Sequence, residues 1–152
     1  MKRIIIYLTL LLFFVSCNKS KFKTQPQVQI TSFGPSEVNF GQLFKLKAKV
    51  TDKEGDAQDS VFIVGKLYNA SNNFLLRTDP FPFTIADFGV PSNQEIEIEA
   101  DFDYGQTVNG TIQVSTDRQD VDRAYSIGII VKDKAGNKSD FVESNKIILK
   151  KL

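Results

Sequence analysis

The sequence predicts an all-β chain folded as an antiparallel sandwich of about seven strands. From Gln27 onward apolar residues recur with period two rather than 3.6, and Gly, Pro, Asn and Asp clusters divide the runs. No helical pattern follows the first seventeen residues. A lysine-faced run and an acid-faced run form complementary partners, which is the third observation.

The N-terminal residues precede that pattern and have a different character. Lys2 and Arg3 lead into an apolar run from Ile4 to Val15 that stops at Ser16-Cys17 and turns polar at Asn18-Lys19-Ser20. As a helix this run reaches roughly 18 Å, against a hydrocarbon core of about 30 Å, so it is too short to span. A basic end, a short apolar centre and a small residue before the break predict a cleaved secretory signal over 1–16. Phe14-Val15-Ser16-Cys17 resembles the lipobox of bacterial lipoproteins, with Phe14 where that family more often has Leu. The resemblance implies that Cys17 is acylated and becomes the first residue of the mature chain, tethered to the membrane. Several acyl chains would make that attachment stable where one would not.

No second cysteine exists to pair with Cys17, so the chain forms no internal disulfide. Loss of Lys2 and Arg3 with the signal takes the basic count from 19 to 17 against 18 acids, a net charge near −1. Such a chain carries no electrostatic footprint for nucleic acid. Residues 17–26 are polar, basic and end in Pro26, which predicts a flexible linker. With no acidic run of the kind that resembles lipoprotein export signals, the expected address is the outer membrane, periplasm-facing, with surface exposure as the alternative.

The remainder, 27–152, suits one domain. Val28 and Ile30 alternate in a first strand. Phe44, Leu46, Ala48 and Val50 alternate with Lys45, Lys47 and Lys49 in a second. Val61 to Tyr68, continuously apolar in its first half, predicts a strand in the middle of a sheet. Phe74 to Arg77 predicts a short fourth. Phe81, Phe83 and Ile85 alternate in a further run that Pro80 and Pro82 confine to an edge. Ile96, Ile98, Ala100 and Phe102 alternate with Glu95, Glu97, Glu99 and Asp101, and antiparallel pairing with the lysine strand would bury both apolar rows on one side. Residues 103–123 form a long connection whose Ile112 and Val114 predict an extra edge strand. A sixth strand starts near Tyr125, and Lys146 to Leu149 closes the domain.

The segment from Tyr125 through Ile127, Ile129, Val131 and Asp133 to Gly136, Asn137 and Ser139 resembles the final hairpin of bacterial fibronectin type III and related immunoglobulin-like domains. The resemblance implies an immunoglobulin-like sandwich in which the second and fifth strands are neighbours, and a tyrosine corner in which the Tyr125 hydroxyl bonds backbone. Asp133 is expected to accept turn N–H groups beside Gly136. Val50-Thr-Asp52-Lys-Glu54-Gly55-Asp56 resembles the loop after the second strand of cadherin-like and polycystic-kidney-disease-type modules. The chain departs from fibronectin type III in having no tryptophan, so its thirteen phenylalanines are expected to fill that core volume. The resemblance implies a binding or assembly module.

Catalysis is not expected. The chain has no histidine, its only thiol is the acylation site, and no Gly-rich phosphate loop precedes a helix. Asp101 with Asp103, or Asp117, Asp120 and Asp122, are not set apart by spacing from solvated loop acids. Calcium needs only oxygen ligands, which makes Asp52, Glu54, Asp56 and Asp59 one candidate set and Asp117, Asp120 and Asp122 another. No other cofactor is expected. Phe81, Phe83 and Phe88 are the candidate partner surface. An envelope protein is the expected partner, and a glycan, which normally recruits exposed Trp or Tyr, is the alternative.

Overall fold

The computed structural model describes residues 25–53, 57, 60–84 and 95–152. Ten strands lie among these residues: β1 (Gln27–Gly34), β2 (Glu37–Val38), β3 (Leu43–Thr51), β4 (Ser60–Asn69), β5 (Leu75–Thr84), β6 (Glu95–Tyr104), β7 (Ile112–Val114), β8 (Arg123–Lys132), β9 (Val142–Glu143) and β10 (Ile147–Leu149). One sheet has the order β1-β3-β6-β7, the other β2-β10-β8-β4-β5 with β9 beside β8. Of the six long strands, β1, β3 and β6 lie in one sheet and β4, β5 and β8 in the other, where the short closing strand β10 joins β8, which is the immunoglobulin-like arrangement. β2 crosses from the first sheet to the second and runs parallel to β10.

Charge fixes the register of the first sheet as expected. Lys45 lies opposite Asp101, Lys47 opposite Glu99 and Lys49 opposite Glu97. Lys45 Nζ sits 3.2 Å from Glu99 and 3.4 Å from Asp101, Lys47 Nζ is 2.5 Å from Glu99, and Lys49 reaches diagonally to Glu95 at 2.6 Å. These pairs are solvated and contribute little stability. A one-residue slip, however, would drive every lysine into the core.

The core lies between the sheets. Phe44, Leu46, Ala48 and Val50 of β3 and Ile96, Ile98, Ala100 and Phe102 of β6 face Val61, Ile63 and Leu67 of β4 and Tyr125, Ile127, Ile129 and Val131 of β8. Phenylalanine fills the space a tryptophan would take. The Phe44 ring stacks on Phe102 at 5.1 Å, Phe33 meets the two edge-on at 5.8 and 6.5 Å, and Tyr125 meets Phe44 edge-on at 6.1 Å.

Three expectations change. The separate runs at Phe74–Arg77 and Phe81–Ile85 are one strand, β5, because β4 is long enough to pair with both, from Ser60↔Thr84 to Tyr68↔Leu75. Pro80 and Pro82 survive inside it because β5 is an edge, where a proline nitrogen can face away from the ladder. Ile85 lies outside the described residues. The extra strand expected at Ile112 and Val114 is β7, but it runs parallel to β6, with Phe102↔Ile112 and Tyr104↔Val114. Tyr125 makes no corner. It is the third residue of β8, held between Leu67 and Ile147 with its ring turned inward, and its buried hydroxyl has no hydrogen-bond partner among the described residues. The tyrosine that ties the closing segment is Tyr104, whose hydroxyl donates to the Lys150 carbonyl at 3.1 Å.

The turn after β8 follows the sequence. Asp133 Oδ1 accepts the Asn137 N–H at 2.7 Å, its Oδ2 accepts the Asn137 amide at 2.8 Å, and Gly136 takes φ 92°.

Candidate binding face

The outward sides of the two sheets are chemically opposite. On the first sheet the outer side of β3 and β6 is the lysine and acid ladder. On the second, β4, β5 and β8 turn apolar side chains outward in register: Phe62 opposite Pro82 and Ile130, then Val64 opposite Pro80 and Gly128. Phe62 is 39% exposed, and Phe141, which lies across Gly128, is 42% exposed. An apolar centre on the solvent side of a sheet is what a contact surface requires.

A polar cluster borders this centre. Glu143 of β9 accepts from Lys66 Nζ at 2.5 Å, the Tyr68 hydroxyl at 2.9 Å and the Ser126 hydroxyl at 2.6 Å. The Lys66 ammonium also sits 4.5 Å from the centroid of the Phe141 ring, and Lys146 lies 3.6 Å from that of Tyr68. A two-residue strand has too few ladder bonds to hold itself, so this cluster fastens β9 to the sheet. Burial pushes the Glu143 carboxyl up, but the hydrogen bonds from Lys66, Ser126 and Tyr68 outweigh it and hold it below the usual glutamate value of 4.5. A lowered folded-state pKa stabilises above the ordinary value and loses that contribution as pH falls through the folded one. Glu143→Gln is therefore expected to cost about 1–2 kcal/mol at neutral pH. The deficit should shrink as pH falls below the ordinary glutamate value and through the lower folded-state one, in urea melts of the two proteins.

The register that exposes Pro80 and Pro82 turns Phe81 and Phe83 the other way. They lie opposite Ile63 and Val61 and pack, half-buried, on the core. The outer side of this edge thus carries the prolines, with Phe62 and Phe141 beside them, rather than Phe81 and Phe83. Phe88 lies outside the described residues, as does Cys17.

The acids expected to hold calcium lie partly outside the described residues, and those described do not converge. Asp52 is buried, and Glu54, Asp56 and Asp59 lie outside the described residues. In the second loop each carboxylate faces a different cation. Asp117 takes a two-pronged bond from Arg123 at 2.7 and 2.8 Å, Asp120 pairs with Arg118, and Asp122 meets Lys150 Nζ at 2.6 Å and the Lys151 N–H at 2.9 Å. Hydrogen bonds from those partners hold all three below the usual aspartate range. Among the described residues no three His, Cys, Asp or Glu side chains converge as metal donors would.

A concavity opens between the edges β5 and β7, about 420 Å³ and lined by Arg77, Asp79, Pro80, Phe81, Gln113 and Ser115. Arg77 pairs with Asp79 at 2.8 Å and donates to the Ser115 carbonyl at 2.6 Å, tying the two sheets together across this opening.

Topology and these surfaces define an immunoglobulin-like β-sandwich. No protein-family model matches the chain, and no curated protein matches it. Among solved structures, it is similar at 8% identity and a TM-score of 0.45 to Spo0M, the sporulation control protein of Bacillus subtilis, over 84% of this chain and 50% of that one. The alkylpurine DNA glycosylase AlkC of Pseudomonas fluorescens shares 15% identity at a TM-score of 0.43, over 82% of this chain and 30% of that one. The CARDB domain of PF1109 from Pyrococcus furiosus shares 12% at 0.34, over 83% and 94%. The chain spans half the length of Spo0M and less of AlkC. At these scores the fold assignment rests on the strand order itself.

Proposed function

We propose that this chain is a non-catalytic, lipid-anchored immunoglobulin-like module of the bacterial cell envelope, which docks a protein partner on the outer side of its second sheet. The observation that carries the docking is the apolar row Phe62-Pro82-Ile130-Phe141, exposed beside a self-neutralised Lys66–Glu143 pair. The partner it suits presents a flat apolar surface with few charges. The anchor rests on the sequence of residues 1–17, a signal closing on Cys17. Periplasm-facing attachment to the outer membrane fits the basic spacer that follows.

Crosslinking in living cells, then purification of the acylated protein, tests the docking. A stoichiometric protein partner lost on Phe62→Glu and retained on Lys47→Glu supports it, and the reverse pattern rejects it. For the anchor, Cys17→Ala is expected to abolish labelling by a fatty-acid analogue and to release the protein from membranes or leave it uncleaved. Continued labelling in that variant would contradict acylation at Cys17.

The opening between β5 and β7 favours glycan binding as a second reading, since it combines the half-exposed Phe81 with Asp79, Arg77 and Gln113, groups that can hydrogen-bond sugar hydroxyls. Envelope glycan retention lost on Gln113→Ala and unaffected by Phe62→Glu would favour this reading over the first.

A further inference from the structure

We infer that the opening between β5 and β7 is a site for a neutral sugar and that the buried Tyr125 hydroxyl is its innermost group, donating to a ligand hydroxyl that in turn donates to Asp79. This rests on the glycan reading of that opening and names the residue that selects its ligand.

The sheet register brings the tyrosine to the opening. Period two sets Arg77, Asp79 and Phe81 on the inward side of β5, across the ladder from Leu67, Gly65 and Ile63 of β4. Opposite Asp79, then, β4 has no side chain, and Tyr125 reaches from β8 into that gap. A Cβ on Gly65 would lie 2.1 Å from the tyrosine oxygen and 3.2 Å from Cε2 of Phe81, so the hydroxyl abuts the Phe81 wall of the opening. Burial weighs most on its ionisation, followed by the charges of Asp79 and Arg77, both of which line the opening. Tyr125 is fully buried, and its hydroxyl has no hydrogen-bond partner among the described residues. A phenylalanine would fill the same space without that cost, so the oxygen calls for a partner from outside the chain. The opening is the side from which one can arrive.

The lining selects the ligand's chemistry. Arg77 Nε bonds Oδ2 of Asp79 at 2.8 Å, which leaves the wall neutral as a whole and Oδ1 to accept from a ligand. The exposed Gln113 amide adds both a donor and an acceptor. An anion would meet Asp79, a cation would meet Arg77, and an apolar ligand would strip both of water without replacing their hydrogen bonds. A neutral sugar avoids all three, because each hydroxyl donates and accepts and the C–H face of the ring covers the half-buried Phe81. The volume, about 420 Å³, falls in the range of small-ligand sites. Arg77 also bridges the mouth by donating to the Ser115 carbonyl at 2.6 Å, and this long side chain is the part that turns aside to admit a ligand as far as Tyr125.

The test uses the full chain carrying 3-fluorotyrosine, held in a polyoxyethylene detergent that has no sugar of its own. Glucose, galactose, mannose and N-acetylglucosamine are the probes. At least one is expected to shift the Tyr125 fluorine resonance saturably, that resonance being assigned by its loss in Tyr125→Phe. Glucuronate and glucosamine, charged counterparts, should bind about tenfold more weakly or worse. By calorimetry Tyr125→Phe should weaken the bound sugar about tenfold with no loss of melting temperature, whereas Lys47→Gln on the other sheet should change neither. Sugar binding that is lost on Gln113→Ala but unchanged in Tyr125→Phe would overturn the tyrosine's role and leave the glycan reading standing. No saturable shift with any of the four sugars would overturn the inference. Envelope glycan retained all the same would then preserve the glycan reading, and its absence would overturn both.

Discussion

Gly65→Ala is expected to lower unfolding stability by about 3 kcal/mol or more. An added Cβ would lie 2.1 Å from the Tyr125 hydroxyl oxygen, 2.9 Å from its Cζ and 3.2 Å from Phe81 Cε2. The Tyr125 ring has nowhere to retreat, because it is fully buried and packed edge-on against Phe44. Gly65 is thus the gap in β4 into which the end of the tyrosine fits. That hydroxyl is buried without a partner among the described residues. Burial first, and the Asp79 carboxylate second, push its pKa far above the usual tyrosine value, so it stays neutral. Removing an unpartnered buried hydroxyl sheds a desolvation penalty, and Tyr125→Phe is expected to leave the protein as stable or about 1 kcal/mol more stable. The double variant should recover about 1 kcal/mol or more of the alanine deficit but not all of it, because the Cζ contact remains. Urea melts of the four proteins measure the cycle. A Tyr125→Phe loss the size of a hydrogen bond would show that the hydroxyl is bonded and would restore the tyrosine corner.

Phe102→Ala is expected to cost about 4 kcal/mol, the upper range for an aromatic truncation in a packed core. Phe102 belongs to an aromatic cluster joining β1, β3, β6 and β8, where it touches Phe33 and Phe44, and Phe44 in turn meets Tyr125. Truncation would remove a stacked and an edge-on contact together and leave a cavity that its β-sheet neighbours cannot close. Phe74→Ala, at an exposed residue beside the β4–β5 turn, should change stability by no more than about 0.5 kcal/mol. Equal effects at the two positions would mean that phenylalanine does not do the work of the missing tryptophan.

What the sequence made legible was whatever alternates. The lysine and acid strands announced their inward rows, their pairing and their register, because both period and charge pointed the same way. The edge position of the Pro80-Pro82 segment was equally plain, since a proline has no N–H to donate. The parallel direction of β7 was hidden, because Ile112 and Val114 alternate the same way whichever end leads. The failure at Tyr125 had a different cause: a motif marks where a tyrosine stands in the strand, not where its hydroxyl ends, and here Gly65 opened a nearer space. The apolar face was missed because Val61 to Val64 read as one buried run. Its alternation splits into Val61 and Ile63 inward and Phe62 and Val64 outward, and an edge strand with prolines left that outer half uncovered. Phe141, in a short segment without a period of its own, gave no signal.

The central claim is that the second sheet, not the charged first one, is the side covered in the envelope. Hydroxyl-radical footprinting of the protein in native membranes, compared with the detergent-isolated single chain, tests it most directly. The account predicts that Phe62, Pro80, Pro82 and Phe141 lose reactivity in the membrane while the outer residues of β3 and β6 stay as reactive as in isolation. Protection of Leu43, Lys45 and Lys47 with Phe62 and Phe141 still fully reactive would place the partner on the opposite side and contradict it.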